Sequence, residues 1–405
     1  MARHALLVLL GALLLGGCGL PAKRGIAWSW PENLSELDTY WYAFNPDASA
    51  DAPYECGSGR VARYCPKGAE LPEELRLRLQ ARRILDGVGG FGGPAALESL
   101  IHSGDRAYFL SSDDSVYAFD ASTGAVDWAI EGPLGYDCRG ELVLAADRLI
   151  LACRHNLGRD HSLIAFDPAT GQTLATAQLD AAPAAVFARG ANVGVVLGDG
   201  SLWHWAPGTD APEMRGELPD RFHSLFDAIG TGVYEPAPTL VSDGVIYVGG
   251  ATNLWALGED LAEKWHAGLP GKAQAIVAMD ERVVVLANTG QAALFEKSTG
   301  SELAQLDAGE LDVNWLLASV GKSLGWELTQ VAADHSGQIV FCEFRGLCLG
   351  LSADLSRLRW AGRVAERLKR NRPYVVGDRL LIEAPGGNLI VVPGLPLGTG
   401  PQSSN

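Results

Sequence analysis

Residues 117–128 read YAFDASTGAVDW, and the fold follows from the fact that this phrase recurs along the chain. Residues 164–174 (IAFDPATGQTL) and 294–303 (LFEKSTGSEL) repeat its order: an apolar run, an acidic residue, Thr-Gly and a second strand-like run. Looser copies at 254–265 and 349–360 keep the apolar strand and the closing tryptophan. A regular internal repeat of this kind predicts a repeat architecture before any single residue is interpreted.

Two sets of markers measure the same repeat length. Thr170 lies 47 residues after Thr123, and Thr299 lies 176 residues after Thr123, or four steps of 44. Intervals of 137 and 95 residues, or three and two steps of about 46–48, separate the tryptophans Trp128, Trp265 and Trp360. This period is too long for the common helical repeats and fits a four-stranded propeller blade. Short apolar runs between Asp-Gly and Gly-Gly turns also favour β-strands.

The repeats therefore predict an all-β fold, a β-propeller of four-stranded blades with a small N-terminal insert that is irregular or helical. Seven units begin near residues 101, 140, 184, 236, 273, 326 and 373, and a count of eight is left open. The seventh unit ends at residues 392–394 without its final strand, so a closed ring needs a strand from elsewhere. Residues 26–30 (IAWSW) alternate like an edge strand, and we predict that they supply it.

The acidic residue and the Thr-Gly pair of each phrase are predicted to hold a turn. A carboxylate in this position can accept hydrogen bonds from the backbone and hydroxyls of its own turn. The turn-holding candidates are Asp120, Thr123, Gly124, Asp167, Thr170, Gly171, Glu296, Thr299 and Gly300. The tryptophans Trp128, Trp265 and Trp360 are predicted to pack one blade against the next.

Residues 1–17 have the pattern of a signal peptide. One arginine and an apolar stretch at 5–15, too short to span a bilayer, are followed by small residues and Cys18. The sequence at 15–18 resembles a bacterial lipobox in which Cys18 is lipidated; the alternative is a buried helix with a chance cysteine. Gly19 resembles the sorting pattern of outer-membrane lipoproteins. We therefore expect a lipid-anchored domain at the outer membrane, on the periplasmic face or the cell surface, with the lipid anchor and the possible ring-closing strand within residues 18–30.

The six remaining cysteines are an even number, as expected for a chain that enters an oxidising compartment. Their spacing suggests three local disulfides, although sequence alone cannot fix the connectivity: the pairs Cys56–Cys65, Cys138–Cys153 and Cys342–Cys348. The alternative for one pair is a metal site, because Cys153 and His155 would share a strand face near Cys138 and His161. We favour the disulfides and predict no metal.

Residues 31–98 differ from the repeats and are predicted to form the insert. Residues 71–87 have a proline and two glutamates at the start and arginines towards the end, which predicts a helix. The aromatic residues 40–42 are interpreted as packing, with a partner anchor as the alternative. We expect the propeller at 99–395 and a disordered tail at 396–405.

Catalytic patterns are missing from the sequence. GVGGFG at 87–92 matches the dinucleotide-binding motif G-x-G-x-x-G, but a predicted helix precedes it and Pro94 follows, so we interpret it as a linker. Residues 321–323 (GKS) lack the leading glycine of a phosphate-binding loop. The histidines show no catalytic spacing, and the net charge of −16 argues against nucleic acid as a partner.

The repeated phrase, ending in tryptophan, resembles the repeat of the pyrroloquinoline-quinone-like β-propellers over roughly residues 100–394. That resemblance implies one of two roles. One group comprises quinone-dependent dehydrogenases; many of its alcohol dehydrogenases carry adjacent cysteines, which this chain lacks. The other comprises cofactor-free lipoproteins, such as the lipoprotein subunit of the outer-membrane β-barrel assembly machinery. The lipobox, chain length and acidic composition are more similar to the second group.

The resemblance therefore favours a non-catalytic propeller, anchored to the outer membrane, that docks envelope proteins and takes part in outer-membrane protein assembly or another envelope complex. No cofactor is expected, and a quinone ligand is not favoured. The alternatives are a quinone-dependent dehydrogenase and a binder of small envelope ligands. Fold alone decides poorly between such roles.

Overall fold

The computed structural model describes 16 segments of the chain. They are residues 40–44, 54–57, 73–87, 97–132, 136–138, 141–155, 161–209, 211–222, 236–307, 328–333, 339–343, 347–356, 358–363, 373–376, 379–383 and 389–392. Two strands and one helix come first: β1 (Tyr40–Phe44), β2 (Tyr54–Gly57) and α1 (Glu73–Gly87).

The strands that follow form successive antiparallel sheets, which we number in chain order. Sheet 1 contains β3 (Leu97–Ser103), β4 (Arg106–Ser111), β5 (Val116–Asp120) and β6 (Val126–Ile130). Sheet 2 contains β7 (Tyr136–Asp137), β8 (Val143–Ala145), β9 (Arg148–His155), β10 (His161–Phe166) and β11 (Thr173–Leu179). In sheet 2 both short strands, β7 and β8, pair with β9.

Sheets 3, 4 and 5 are four-stranded meanders in which each strand pairs with the next along the chain. Sheet 3 contains β12 (Pro183–Arg189), β13 (Asn192–Leu197), β14 (Ser201–Trp205) and β15 (Glu213–Glu217). Sheet 4 contains β16 (Thr239–Ser242), β17 (Val245–Gly249), β18 (Asn253–Leu257) and β19 (Glu263–Gly268). Sheet 5 contains β20 (Ala273–Met279), β21 (Arg282–Ala287), β22 (Gln291–Glu296) and β23 (Glu302–Asp307).

Sheet 6 is a meander of the same kind, and sheet 7 has three C-terminal strands. Sheet 6 contains β24 (Leu328–Ala333), β25 (Ile339–Glu343), β26 (Leu347–Leu351) and β27 (Leu358–Arg363). Sheet 7 contains β28 (Tyr374–Val376), β29 (Arg379–Glu383) and β30 (Leu389–Val392).

The N-terminal strands complete sheet 7. Its order is β2-β1-β30-β29-β28, with Trp41 opposite Ile390 and Tyr42 opposite Leu389. The fourth position is therefore filled from the segment that the sequence analysis assigned to the insert. The strand predicted at residues 26–30 lies outside the described residues. Residues 40–44 (YWYAF) are rich in aromatic residues, which favour β-strands because their side chains fit a pleated surface.

The core lies between consecutive sheets. One buried apolar cluster joins each neighbouring pair from sheets 1–2 to sheets 5–6, and β24 of sheet 6 contacts β28 of sheet 7. The second and third strands are apolar on both faces, as in β21 (Arg282–Ala287), because each strand is covered by a sheet on either side. Face-packed four-stranded antiparallel sheets in succession are consistent with a β-propeller.

Five sheets share the same irregularity of strand pairing, a shift of register within the repeated phrase. The register between the third and fourth strands shifts just before the turn, at 118/119, 165/166, 256/257, 294/295 and 350/351. A bulge of this kind bends the strand and re-aims its side chains. The five shifts fall at equivalent repeat positions, so the turn that follows is presented in the same way by sheets 1, 2, 4, 5 and 6.

Candidate functional site: the turns between neighbouring sheets

The turn of sheet 1 is built around one carboxylate. Asp120 Oδ1 accepts hydrogen bonds from the Ser122 amide (2.9 Å) and hydroxyl (2.6 Å), and from the Thr123 amide (2.7 Å) and hydroxyl (2.9 Å). The Gly124 amide donates to the Asp120 carbonyl at 2.8 Å, and Gly124 has φ +72°, a conformation that glycine adopts without steric cost. Asp120 and Thr123 therefore hold a closed turn.

The other two full phrases form the same turn. Asp167 Oδ1 accepts from the Ala169 amide at 2.8 Å, and its second oxygen accepts from the Thr170 hydroxyl at 2.8 Å. In sheet 5, Glu296 Oε2 accepts from the Thr299 hydroxyl at 2.6 Å. Gly171 and Gly300 have φ of +74° and +72°, so both glycines repeat the backbone of the first turn.

In the turns of sheets 1 and 2, these hydrogen bonds favour the charged form of the aspartates Asp120 and Asp167. The Ser122 hydroxyl, followed by the Thr123 amide and hydroxyl, lowers the pKa of Asp120 to about 2. The Ala169 amide and the Thr170 hydroxyl lower the pKa of Asp167, with a smaller contribution from Arg106. A hydrogen bond to the ionised form favours that form, which is why the pKa falls. The turns of sheets 1 and 2 consequently present fixed negative charge.

Two tryptophans pack onto the turns of the following sheets. Trp128 of sheet 1 donates Nε1–H to the Pro168 carbonyl of sheet 2 at 3.0 Å. Trp265 of sheet 4 donates to the Lys297 carbonyl of sheet 5 at 2.8 Å. Each acceptor is the residue after the acidic one, and we call it the turn carbonyl. Each indole also lies over the glycine of the same turn, where a Cβ would approach ring carbons to 2.9 Å or 2.4 Å.

The third predicted packing tryptophan is only partly placed. Trp360 lies on β27 and pairs with Gly350 across sheet 6, but its side chain lies outside the described residues. The turn of sheet 6 itself differs from the predicted pattern. Asp354 takes over the carboxylate role and accepts from the hydroxyls of Ser352 (2.5 Å) and Ser356 (2.7 Å), which lower its pKa to about 2.

Sequence reasoning missed a second kind of donor to the turns. Arg282, at the start of β21 in sheet 5, donates to the Ala353 carbonyl of sheet 6 at 3.1 Å. Ala353 occupies the turn-carbonyl position of its sheet. The signal was available, because an acidic residue followed by arginine opens the second strand in several sheets, at residues 105–106, 147–148, 281–282 and 378–379.

A buried carboxylate between sheets 3 and 4 was also missed. Asp220 is 8% exposed and accepts from the Trp255 indole at 3.2 Å, the Asn253 amide at 3.0 Å and the Thr252 hydroxyl at 3.1 Å. All three donors belong to sheet 4 or its hairpin, whereas Asp220 follows the last strand of sheet 3. The residue lies outside the repeated phrase, so no periodic signal identifies it.

Four cysteines lie in two pairs at disulfide distance. Cys138 and Cys153 have sulfurs 2.16 Å apart, and Cys342 and Cys348, directly opposite in sheet 6, have sulfurs 2.12 Å apart. The zinc alternative used the first of these pairs, and one sulfur cannot serve both a disulfide and zinc. Within the described ranges no group of three or more His, Cys, Asp or Glu side chains is arranged to hold a metal ion.

Two of the predicted residues cannot be placed. Cys18 and Cys65 lie outside the described residues; Cys56 is on β2, but nothing is described of its side chain. No helix of the described segments is long and apolar enough to cross a bilayer.

The outermost strands carry exposed apolar side chains. Val126, Leu174, Met214 and Leu303 lie on β6, β11, β15 and β23, and each is 47–54% exposed. Each is the last strand of its sheet, at the edge opposite the first strand, and the first strands of sheets 3 to 7 contact one another. We call these last strands the outer strands. Single exposed apolar residues are ordinary on a protein surface. Of the five large apolar side chains that are exposed among the described residues, however, four lie on these strands, and the fifth, Val241, lies on β16. The outer strands are therefore the candidate surface for protein contact.

Comparison with known proteins identifies the family. A family model described as outer membrane protein assembly factor BamB matches residues 92–201 and 159–392. The two segments together span residues 92–392, well over half of the 405 residues. The chain belongs to this BamB family. A search of curated proteins found no significant match.

Solved structures are similar in fold. BamB from Moraxella catarrhalis matches with a TM-score of 0.51 and 16% identity, over 75% of this chain and 84% of that chain. The computationally designed Ika8 protein matches with a TM-score of 0.45 and 15% identity, over 75% and 98% of the two chains. At these identities the likeness concerns the fold. The match to BamB agrees with the resemblance of the repeated phrase to the repeat of the pyrroloquinoline-quinone-like β-propellers.

Proposed function

We propose that this BamB-family protein is a non-catalytic scaffold, anchored to the outer membrane by lipidated Cys18, that docks protein partners during outer-membrane protein assembly. The family match over residues 92–392 carries the proposal, because the family is described by an assembly role. The lipobox supports the anchor, since a lipid at Cys18 would hold the sheets beside the membrane. The cysteine pairs support an oxidising compartment such as the periplasm.

The structural features that suit such a scaffold are its repeated turns and outer strands. The turns are fixed by carboxylates and by donors from the preceding sheet, so the strands that follow them are held in place. The outer strands add exposed apolar side chains beside backbone groups that have no further strand to pair with in the described sheets. A rigid frame with apolar contact points at its edge suits protein binding, because little entropy is lost on docking.

Site-specific photo-cross-linking tests where partners bind. A photoreactive amino acid would replace Leu174 or Leu303 on outer strands, both 50% exposed. The matched control is Val241, equally exposed at 50% but located on β16, the first strand of its sheet. We expect cross-links to envelope assembly proteins from 174 and 303 and not from 241. Cross-links from all three positions, or from 241 alone, would contradict docking at the outer strands.

The lipid anchor and the part played in outer-membrane protein assembly are tested by separate measurements. Cys18→Ala should release the protein from the membrane fraction and remove the lipid from its N-terminus, as judged by mass spectrometry. Depletion of the protein should lower the amount of folded outer-membrane β-barrel proteins. Dye-linked oxidation of alcohols or sugars after addition of quinone and calcium would overturn the non-catalytic proposal in favour of a dehydrogenase.

A further inference from the structure

The turn carbonyl is the acceptor of a recurring contact between consecutive sheets. In the turns of sheets 2, 5 and 6 the donor comes from the preceding sheet: Trp128 donates to Pro168, Trp265 to Lys297 and Arg282 to Ala353. The donor group is an indole in two cases and a guanidinium in the third. Both are planar N–H donors, and the shared feature is a hydrogen bond to the same backbone position.

Among the described residues no complete sheet precedes sheet 1 along the chain, yet the turn carbonyl of sheet 1 also accepts a hydrogen bond. The residue in this position is Ala121, and Nη1 of Arg76 from helix α1 donates to its carbonyl at 2.5 Å. The adjoining Gly124 is covered as well: the position of a Cβ there would be 3.5 Å from Gln80 Cγ. Arg76 and Gln80, one helical turn apart, thus cover the carbonyl and the glycine that an indole covers elsewhere.

Helix α1 also buries the face of sheet 1 that points away from sheet 2. Leu77, Ala81, Ile84 and Leu85 form one cluster with Phe109 and Phe119, and each of the six is at most 9% exposed. The opposite face of the same strands packs on sheet 2 through Tyr108, Leu110, Val116 and Ala118. The helix therefore occupies the side of sheet 1 on which a preceding sheet would pack.

The strands that precede the helix belong to the other end of the sheet series. β1 pairs with β30 in sheet 7, and β2 adds to its outer side. In the N-terminal part of the chain, residues 40–44 and 54–57 extend the last sheet, and residues 73–87 cover the first.

We infer that helix α1 replaces a preceding sheet at sheet 1, with Arg76 and Gln80 in place of a packing tryptophan, and that together with β1 it clasps the first sheet to the last. The inference concerns how the frame is held together and does not depend on the proposed scaffold role. It assigns a positioning role to two polar helix residues that no periodic motif identifies.

Hydrogen–deuterium exchange on the mature full-length protein tests the contact. The variant Arg76→Ala combined with Gln80→Ala leaves the buried apolar face of the helix intact. Loss of the carbonyl contact should speed exchange in residues 73–87 by roughly tenfold, because a hydrogen bond from a charged donor is stronger than a neutral one. The control Glu73→Gln removes the carboxylate 3.5 Å from Arg76 Nη2 and keeps the contact to Ala121. It should exchange like wild type.

A second variant tests the clasp. Leu77 is fully buried, so Leu77→Asp should release the helix and also speed exchange at residues 40–44 and 389–392, while sheet 4 keeps its protection. If Leu77→Asp fails to fold, the milder variant Leu77→Ala, which weakens the same packing of the helix on sheet 1, is measured in the same way. If residues 73–87 of the double variant exchange at the wild-type rate, the inference that Arg76 and Gln80 take the place of a packing tryptophan is wrong. Undisturbed exchange at residues 40–44 and 389–392, with the helix released, would overturn the clasp.

Discussion

The three turn glycines allow the packing of the tryptophans to be measured separately from backbone strain. Gly124, Gly171 and Gly300 have φ between +72° and +74°. Alanine in this left-handed region costs about 1–2 kcal/mol, and the cost should be equal at the three positions. Any difference between Gly→Ala variants must therefore come from what the new methyl group meets.

The neighbours of that methyl group differ strongly. At Gly124 the Cβ would lie 3.5 Å from Gln80, an ordinary contact with a side chain that can move. At Gly171 it would lie 2.9 Å from the Trp128 ring, and at Gly300 only 2.4 Å from Trp265. Overpacking costs about 1–3 kcal/mol, and a displaced indole loses a hydrogen bond worth about 1 kcal/mol. Trp265 is 8% exposed and has less room to shift than the partly exposed Trp128.

We expect destabilisation of about 1–2 kcal/mol for Gly124→Ala, where strain acts alone. Gly171→Ala should lose about 1–2 kcal/mol more, and Gly300→Ala about 2–4 kcal/mol more, from overpacking and the displaced indole. Chemical denaturation followed by circular dichroism would give the three values. A Trp265→Ala background supplies the control: there the penalty of Gly300→Ala should fall to that of Gly124→Ala. Equal penalties at all three glycines in the wild-type background would refute the packing argument.

Three further predictions address single contacts. Ser122→Ala should raise the pKa of Asp120 from about 2 towards 3.8, because the Ser122 hydroxyl is the largest cause of the low value; carboxyl NMR titration measures it. Since the folded pKa is the lower one, the contribution of Asp120 to stability is complete above pH 3.8 and is lost as the pH falls towards 2. Trp265→Phe keeps the ring but removes the indole donor and should cost about 1 kcal/mol in chemical denaturation. Cys138→Ala with Cys153→Ala removes a disulfide between cysteines 15 residues apart and should lower the free energy of unfolding by about 3 kcal/mol. Both cysteines of the wild-type protein should resist thiol alkylation.

Most of the fold could be predicted from the repeated phrase, because the geometry of its turn depends on residues close together in the sequence. Asp120 and Thr123 lie three residues apart, so their hydrogen bonds depend on sequence neighbours and could be predicted from the motif. The units predicted from the repeat also begin near the first strands of the described sheets. The donors to the turn carbonyls were harder to predict, because Arg282 and Ala353 are 71 residues apart.

The N-terminal segment shows the same division between local and long-range information. The pattern at residues 71–87 predicted a helix, and the structure contains one at Glu73–Gly87. Its apolar stripe required a partner surface, but every sheet of this chain offers apolar faces, so the sequence could not indicate which one. The pairing of β1 with β30 was beyond prediction for a related reason. An aromatic run without a repeat marker can extend any open sheet edge, and the register is fixed only by the complete fold.

The exchange of indole for guanidinium at the turn carbonyl explains how the repeat can lose its tryptophans without losing its packing. The outer strand of sheet 5 has no tryptophan, yet the next turn carbonyl is bonded by Arg282 from the same sheet. An arginine reaches this position from the start of the second strand, whereas the tryptophans reach it from the fourth. Because the acceptor is a backbone group, it persists whatever side chain occupies the turn. Sequence divergence among the units can therefore proceed at the donor while the contact between neighbouring sheets is kept.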